Sequence, residues 1–206
     1  MSPTAASPRT TLPVLPRLPR LLVGLVLCGL AVALMVEADL GLGPWDVLHQ
    51  GIAGRTGLSI GQAVILVGAV VLAAWFPLRE RPGLGTVLNI LVIGLVVDLG
   101  RAALPEVSGL PARIALLTVS LPVFAIGSGL YIGTGLGSGP RDGVMTGLAR
   151  RGWPIGVARA AIEFTVLVAG WGLGGTVGIG TVVFATAVGP LVHVAIPRLR
   201  APGVPD

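Results

Sequence analysis

Few side chains in this sequence combine reactivity with an apolar setting, and they fall into two groups. The first lies inside long apolar runs. Glu163 sits about 12 Å into a run that begins near residue 155, at 1.5 Å per residue along a helix. Arg159 is one helical turn earlier on the same face and can pair with it. Ionisable groups at such depth face a protein interior or a wet cavity. Two readings therefore stand: an ion pair that fastens helices, or groups on the pathway of a solute or ion. Asn89, in another apolar run, can hydrogen-bond to a neighbouring helix or line the same pathway. His193 lies near the end of a run and can change charge near neutral pH, which suits proton coupling. A place in the membrane interface is the more common explanation for it and for Asp98.

The second group belongs to a short motif that occurs twice. Gly43-Pro44-Trp45-Asp46 is echoed by Gly139-Pro140-Arg141-Asp142. Proline suits the first position of a helix, where its missing N–H would have no partner. Asp46 and Asp142 then stand at the third position, beside free N–H groups and the positive helix end. On one reading these are helix starts built twice. On the other, they are the ends of broken or re-entrant helices that approach a central pathway, with glycine letting the backbone bend and pack closely. The segments 44–54 and 140–151 are amphipathic. Trp45, Leu48 and Ile52 share one face, as do Val144, Met145 and Leu148, while Asp46, His49, Gln50, Arg141, Asp142 and Thr146 lie elsewhere. A helix lying flat in the interface fits that pattern too, with Trp45 and Trp153 as anchors.

The elements that position these groups are dictated by composition. The chain has 206 residues, of which 53% are hydrophobic and 11% charged, with 32 further glycines. Mean hydropathy is +0.92. Too little polar surface remains to cover a water-soluble domain, so lipid is the solvent that fits. All 14 basic residues are arginine, and the formal net charge is +5. The arginines are dispersed among short connections, which marks topology and not a nucleic-acid surface. The single Cys28 lies in an apolar run, and no Cys/His cluster suggests a metal. No cofactor is called for: the Lys-Ser/Thr of a phosphate loop, the dinucleotide fingerprint, the zinc-protease helix and the Gly-x-Ser-x-Gly elbow are all missing, so an enzyme is not expected.

A span needs roughly 20 apolar residues to cross a core of about 30 Å. Six runs qualify: residues 20–37, 59–77, 83–103, 113–133, 155–174 and 178–196. Residues 1–19, with Pro3, Pro8, Pro13, Pro16 and Pro19, read as a disordered basic tail, and 197–206 read likewise. The first run has the basic flank of a secretory leader, but its sister at 113–133 lies mid-chain, which favours a span. Ten arginines (9, 17, 20, 79, 81, 141, 150, 151, 198 and 200) fall on one side and three (55, 101 and 113) on the other. The expectation is a bacterial plasma-membrane protein with both termini cytoplasmic.

Self-similarity organises the six spans. Gly43, Pro44, Asp46, Gly51 and Ala53 recur as Gly139, Pro140, Asp142, Gly147 and Ala149, 96 positions later. One residue is then lost. Gly57, Ile60 and Gly61 recur as Gly152, Ile155 and Gly156, Gly83-Leu84-Gly85-Thr86-Val87 as Gly178-Ile179-Gly180-Thr181-Val182, and Gly94 as Gly189, all 95 later. The fold expected is all-α: three spans in residues 20–106 and three in 107–196, as a 3+3 inverted repeat, each half with a short helix after its first span. The copies differ at Trp45/Arg141, His49/Met145 and Gly68/Glu163.

The stretches Leu40-Gly-Leu-Gly-Pro-Trp-Asp-Val-Leu-His-Gln-Gly, Gly57-Leu-Ser-Ile-Gly, Gly83-Leu-Gly-Thr-Val-Leu-Asn and Gly137-Ser-Gly-Pro-Arg-Asp-Gly-Val-Met-Thr-Gly resemble the YczE/YyaS/YitT-type bacterial membrane proteins, over roughly residues 20–196. The resemblance implies a multi-pass plasma-membrane protein and brings no substrate or catalytic residue. From the residues themselves, the leading expectation is a small secondary transporter with its site between the repeats. The alternative is a non-transporting scaffold or accessory protein that binds a partner through Arg150 and Arg151. The lipid bilayer is the partner that composition demands. A small-molecule or ion substrate and a homo-oligomer are compatible with it, and no nucleic acid is expected.

Overall fold

The computed structural model describes residues 13–204. Nothing can be said of the tail before residue 13, which lies outside the described residues. Among those described, every regular element is helical. In chain order they are α1 (Leu18–Ala38), α2 (Pro44–Thr56), α3 (Ile60–Ala73), the single turn α4 (Trp75–Leu78), α5 (Leu84–Ala103), α6 (Leu110–Ile132), α7 (Pro140–Ala149), α8 (Ile155–Gly172) and α9 (Ile179–Arg198). Six stretches are long and apolar enough to cross a membrane: Leu15–Ala38, Ile60–Leu78, Leu84–Ala103, Leu110–Ile132, Ile155–Gly172 and Ile179–Arg198. Large apolar side chains such as Val70, Phe76, Leu95, Phe164 and Trp171 point outward, as they do in a protein solvated by lipid. This is an integral membrane protein with six candidate spans among the described residues.

Both expected tails are shorter than their composition suggests. A 3-10 turn at Leu15–Arg17 leads directly into α1, and Arg17 Nη1 donates to Thr134 O at 2.7 Å. At the other end α9 runs to Arg198, and Ala201 is buried with its N–H on Gly133 O at 2.9 Å. Backbone contacts to the end of α6 thus hold residues that lack helical periodicity.

The core is the pair α1 and α6, which pack along their whole length. They run antiparallel. Arg17 at the start of α1 meets Thr134 beyond the end of α6, Cys28 Sγ lies 3.7 Å from Ser128 Oγ, and Arg113 at the start of α6 donates to Ala38 O at 2.6 Å and to Asp39 Oδ2 at 2.7 Å. Small residues permit the approach: a Cβ on Gly24 would stand 2.7 Å from Gly127 O, and one on Gly127 would stand 2.7 Å from Gly24 O. α5 packs against α1, and α9 against α6.

The duplicated glycines have duplicated partners across the two halves. Leu40 O accepts from Gly180 N–H at 2.8 Å, and Leu136 O accepts from Gly85 N–H at 2.9 Å. Gly41 (φ +108°) lies against Gly178 and Thr181, and Gly137 (φ +134°) lies against Gly83 and Thr86. A side chain at either glycine would be strained by the positive φ and would also strike the facing helix start. Thr86 and Thr181 are both buried and both accept from the N–H three residues earlier at 3.2 Å.

Packing elsewhere is unequal. α3 lies along α5, where Asp98 accepts from Ser59 Oγ at 2.5 Å and from Gly61 N–H at 2.8 Å. A Cβ on Gly94 would stand 2.7 Å from Gly61 O, so the two backbones touch. The counterpart helices do not meet this way. Among the described residues α8 packs on α2 and α7 and scarcely touches α9, and a Cβ on Gly156 or Gly189 would meet nothing within 4 Å.

Candidate functional site

α2 and α7 have 13 and 10 residues, which at 1.5 Å each give about 20 and 15 Å, too short to cross the membrane. Their first turns are buried among the spans: Pro44, Trp45 and Asp46 of α2 and Pro140 of α7. Both first turns open onto one cavity of about 70 Å³, lined by Trp45, Asp46, His49, Pro140 and Arg141 from the short helices and by Asn89 of α5. Its remaining walls are apolar, from Val32 of α1, Phe124 of α6 and the Val64–Val71 face of α3. Cys28 and Phe124, at the middle of the α1–α6 contact, adjoin each other, so the cavity lies level with the middle of that contact.

The two aspartates of the repeated motif do different work. Asp142 Oδ2 accepts from Gly139 N–H at 3.2 Å and lies 3.4 Å from Tyr131 Oη, which makes it a helix cap. Asp46 leaves the start of α2 without a side-chain cap and turns instead to His49, with Oδ1 3.3 Å from Nδ1. Both are buried, at 6% and 7% exposure. The divergence follows from sequence, because Met145 stands where His49 stands in the first half and offers a carboxylate nothing.

Three polar groups at the cavity are unspent. Trp45 is 8% exposed, and its indole Nε1–H is buried with no acceptor. Arg141 makes neither a hydrogen bond nor a close ion pair among the described residues, and its guanidinium carbon lies 5.8 Å from the Phe124 ring centroid. Asn89 likewise makes no side-chain hydrogen bond among them, and its Nδ2 lies 3.7 Å from where a Cβ on Gly139 would stand.

Of the candidates read from sequence, Asp46, His49, Asn89 and Arg141 line the cavity, with Gly43, Pro44, Gly139 and Pro140 shaping the backbone that brings them there. Asp142 stands beside it as a cap. Glu163 and Arg159 pair at 2.9 Å on α8 and do not line it, and His193 is exposed on α9. Two expectations need correction. Trp45 is no interfacial anchor, since its ring is buried at the cavity. Arg141 does not sit in a connection with Arg150 and Arg151 but faces the interior, so it leaves the arginine count. The amphipathic pattern misled because Trp45 of the apolar edge and Asp46 and His49 of the polar edge all reach the cavity, while Leu48 and Ile52 are half-buried. The signal for Trp45 and Arg141 was their mismatch at equivalent repeat positions.

A model of a family of unknown function, DUF6198, matches residues 15–197. The chain is similar to an uncharacterized protein of Haemophilus influenzae, 39% identical over 90% of this chain and 86% of that one. It is also similar to the uncharacterized membrane protein YczE of Bacillus subtilis, 33% identical over 85% of this chain and 83% of that one. The uncharacterized protein YyaS of the same organism is 25% identical over 85% of this chain and 90% of its own length. No solved structure matches.

Proposed function

The chain belongs to the DUF6198 family, and from the cavity that both its halves line we propose that it is a small secondary carrier of a bacterial plasma membrane. The observation that carries this reading is the convergence of two short helix starts, one from each half, on one cavity whose apolar walls carry a few polar groups, level with the middle of the α1–α6 contact. Discontinuous helices whose N-termini point at a mid-membrane site are a recurring carrier design. The antiparallel packing of the equivalent helices α1 and α6 supports an inverted repeat, because two copies related by an axis in the membrane plane must run in opposite directions. With Arg141 set aside, the arginine bias still supports cytoplasmic termini.

The unequal packing of the halves supports alternation. One end is closed by α3 on α5, and the other is open between α8 and α9. In an inverted-repeat carrier the halves exchange such conformations, which moves access from one membrane face to the other. The accessory-protein reading draws less support. Arg150 is paired with Glu80 at 2.5 Å and Arg151 donates to Pro77 O at 2.5 Å, so both already have a contact within this chain.

The test is solute flux by purified protein in liposomes under an imposed proton or sodium gradient, across a panel of small solutes. Saturable flux above protein-free vesicles is expected. No flux of any solute, together with recovery of one stoichiometric partner by cross-linking in cells, would overturn the reading.

A further inference from the structure

The cavity's polar groups share a property that the carrier reading does not require. Arg141 carries a positive charge and five N–H donors, none committed to a protein acceptor among the described residues. Trp45 brings a donor-only indole N–H, buried and unpartnered. Asn89 adds an amide with no protein partner. The start of α2 lacks a side-chain cap, since Asp46 turns to His49, so its first N–H groups have no side-chain acceptor, although the Asp46 carboxylate in that first turn still offsets the positive helix end. The one carboxylate lining the cavity is that same Asp46.

None of this is imposed by duplication. Trp45 and Arg141 replace each other between the halves, Met145 stands at the equivalent of His49, and Phe184 stands at the equivalent of Asn89. Three places where the halves diverge in polarity thus meet around one space. Against Arg141 the cavity sets the face of Phe124, and Asp142 and Asp46 act on its charge only from beyond ion-pair distance. At about 70 Å³ the space admits more than a single water and far less than a drug-sized ligand.

We propose that this cavity binds a small monovalent anion, with Arg141 as its counter-charge and the Trp45 indole N–H and Asn89 amide as its hydrogen-bond donors. An inorganic oxyanion and a short carboxylate present the same chemistry, a compact negative group with several acceptors. The proposal shares the cavity with the carrier reading and rests on it only for passage of the anion, since occupancy can be measured without transport.

The test is calorimetric titration of the purified full chain in lipid nanodiscs with nitrate, formate and acetate, and with tetramethylammonium as the cationic control. Saturable binding of at least one anion is expected. It should weaken by about tenfold or more in Arg141→Gln, as for loss of a charged hydrogen-bonding partner, and fall less in Arg141→Lys. Trp45→Phe, which removes the indole N–H and keeps an aromatic ring, should weaken it several-fold and reads out the site even where Arg141→Gln fails to fold. Binding of the cation and of no anion, or anion binding unchanged in both Arg141→Gln and Trp45→Phe, would overturn the proposal. Saturable anion binding without flux in vesicles supports the site and removes the carrier. Flux of a neutral solute without anion binding removes the site and keeps the carrier.

Discussion

Replacing Gly189 with alanine separates a working carrier from a static bundle. Gly189 is the repeat equivalent of Gly94, and Gly156 of Gly61. In the closed half, a Cβ on Gly94 would stand 2.7 Å from Gly61 O and 2.7 Å from Ile65 Cγ1, so that crossing tolerates no side chain. In the open half, a Cβ on Gly189 meets nothing within 4 Å. Gly189→Ala thus meets no clash from another helix in the conformation described here, and because Pro190 follows, whose ring disfavours helical backbone before it for a residue with a Cβ, the gain of about 0.5–1 kcal/mol usual for Gly→Ala inside a helix is offset. If α8 must close on α9 as α3 closes on α5, the added methyl then overpacks a contact made only in the exchanged state. Overpacking costs about 1–3 kcal/mol, and a shift of that size depletes the exchanged state about 5- to 150-fold. The expected phenotype is an unfolding temperature close to that of wild type with flux reduced by that factor. Thermal unfolding in detergent and vesicle flux measure the two sides. Cysteines placed at Gly156 and Gly189 in a Cys28→Ser background report the closure directly, because a disulfide needs Cα atoms within about 7 Å. Flux equal to wild type in Gly189→Ala, with a cysteine pair that never cross-links, would refute the exchange.

The other predictions concern the positions that make the halves what they are. Asp98→Ala removes the acceptor for Ser59 Oγ and Gly61 N–H, and should cost about 1.5–3 kcal/mol as the loss of charge-assisted hydrogen bonds, read as a lowered unfolding temperature. Gly41→Ala sets a Cβ on a residue at φ +108° and within 2.6 Å of Gly178 N, combining about 1–2 kcal/mol of backbone strain with a clash against backbone. It should yield little monodisperse protein on size-exclusion chromatography, whereas Gly54→Ala, where nothing lies within 4 Å, should behave as wild type. Glu163→Gln breaks the Arg159 pair outside the cavity, so vesicle flux should be unchanged. Abolished flux in that variant would mean that the pathway runs along α8.

Much of the architecture could be read in one dimension. Six spans follow from runs of apolar residues against the thickness of a bilayer, and the offset of 96 between Gly43-Pro44 and Gly139-Pro140, then of 95 between Gly83 and Gly178, follows from matched residues that cannot be exchanged without changing the backbone. Pro44 and Pro140 do begin helices, and the aspartates do lie at the third position, for the reasons that chain chemistry supplies. The repeat also marked Trp45, Arg141 and His49 as places where equal backbones carry unequal chemistry.

Which of those residues meet was decided by tertiary structure. Glu163, the most conspicuous charge in the sequence, pairs with Arg159 away from the cavity, while Asn89, also readable as glue between helices, lines it without a protein partner. Trp45 passed for an interfacial anchor and Arg141 for a connection residue, yet both are turned inward by the burial of α2 and α7. Helical periodicity says which residues share a face, but not which neighbour that face is turned toward. In lipid the difficulty is greater, because the surface that packs on protein and the surface that meets acyl chains are both apolar, so hydropathy alone cannot rotate a helix about its axis. Close glycine contacts set that rotation instead, bringing Gly24 to Gly127 and Gly61 to Gly94, and with it the choice of which polar groups share the cavity.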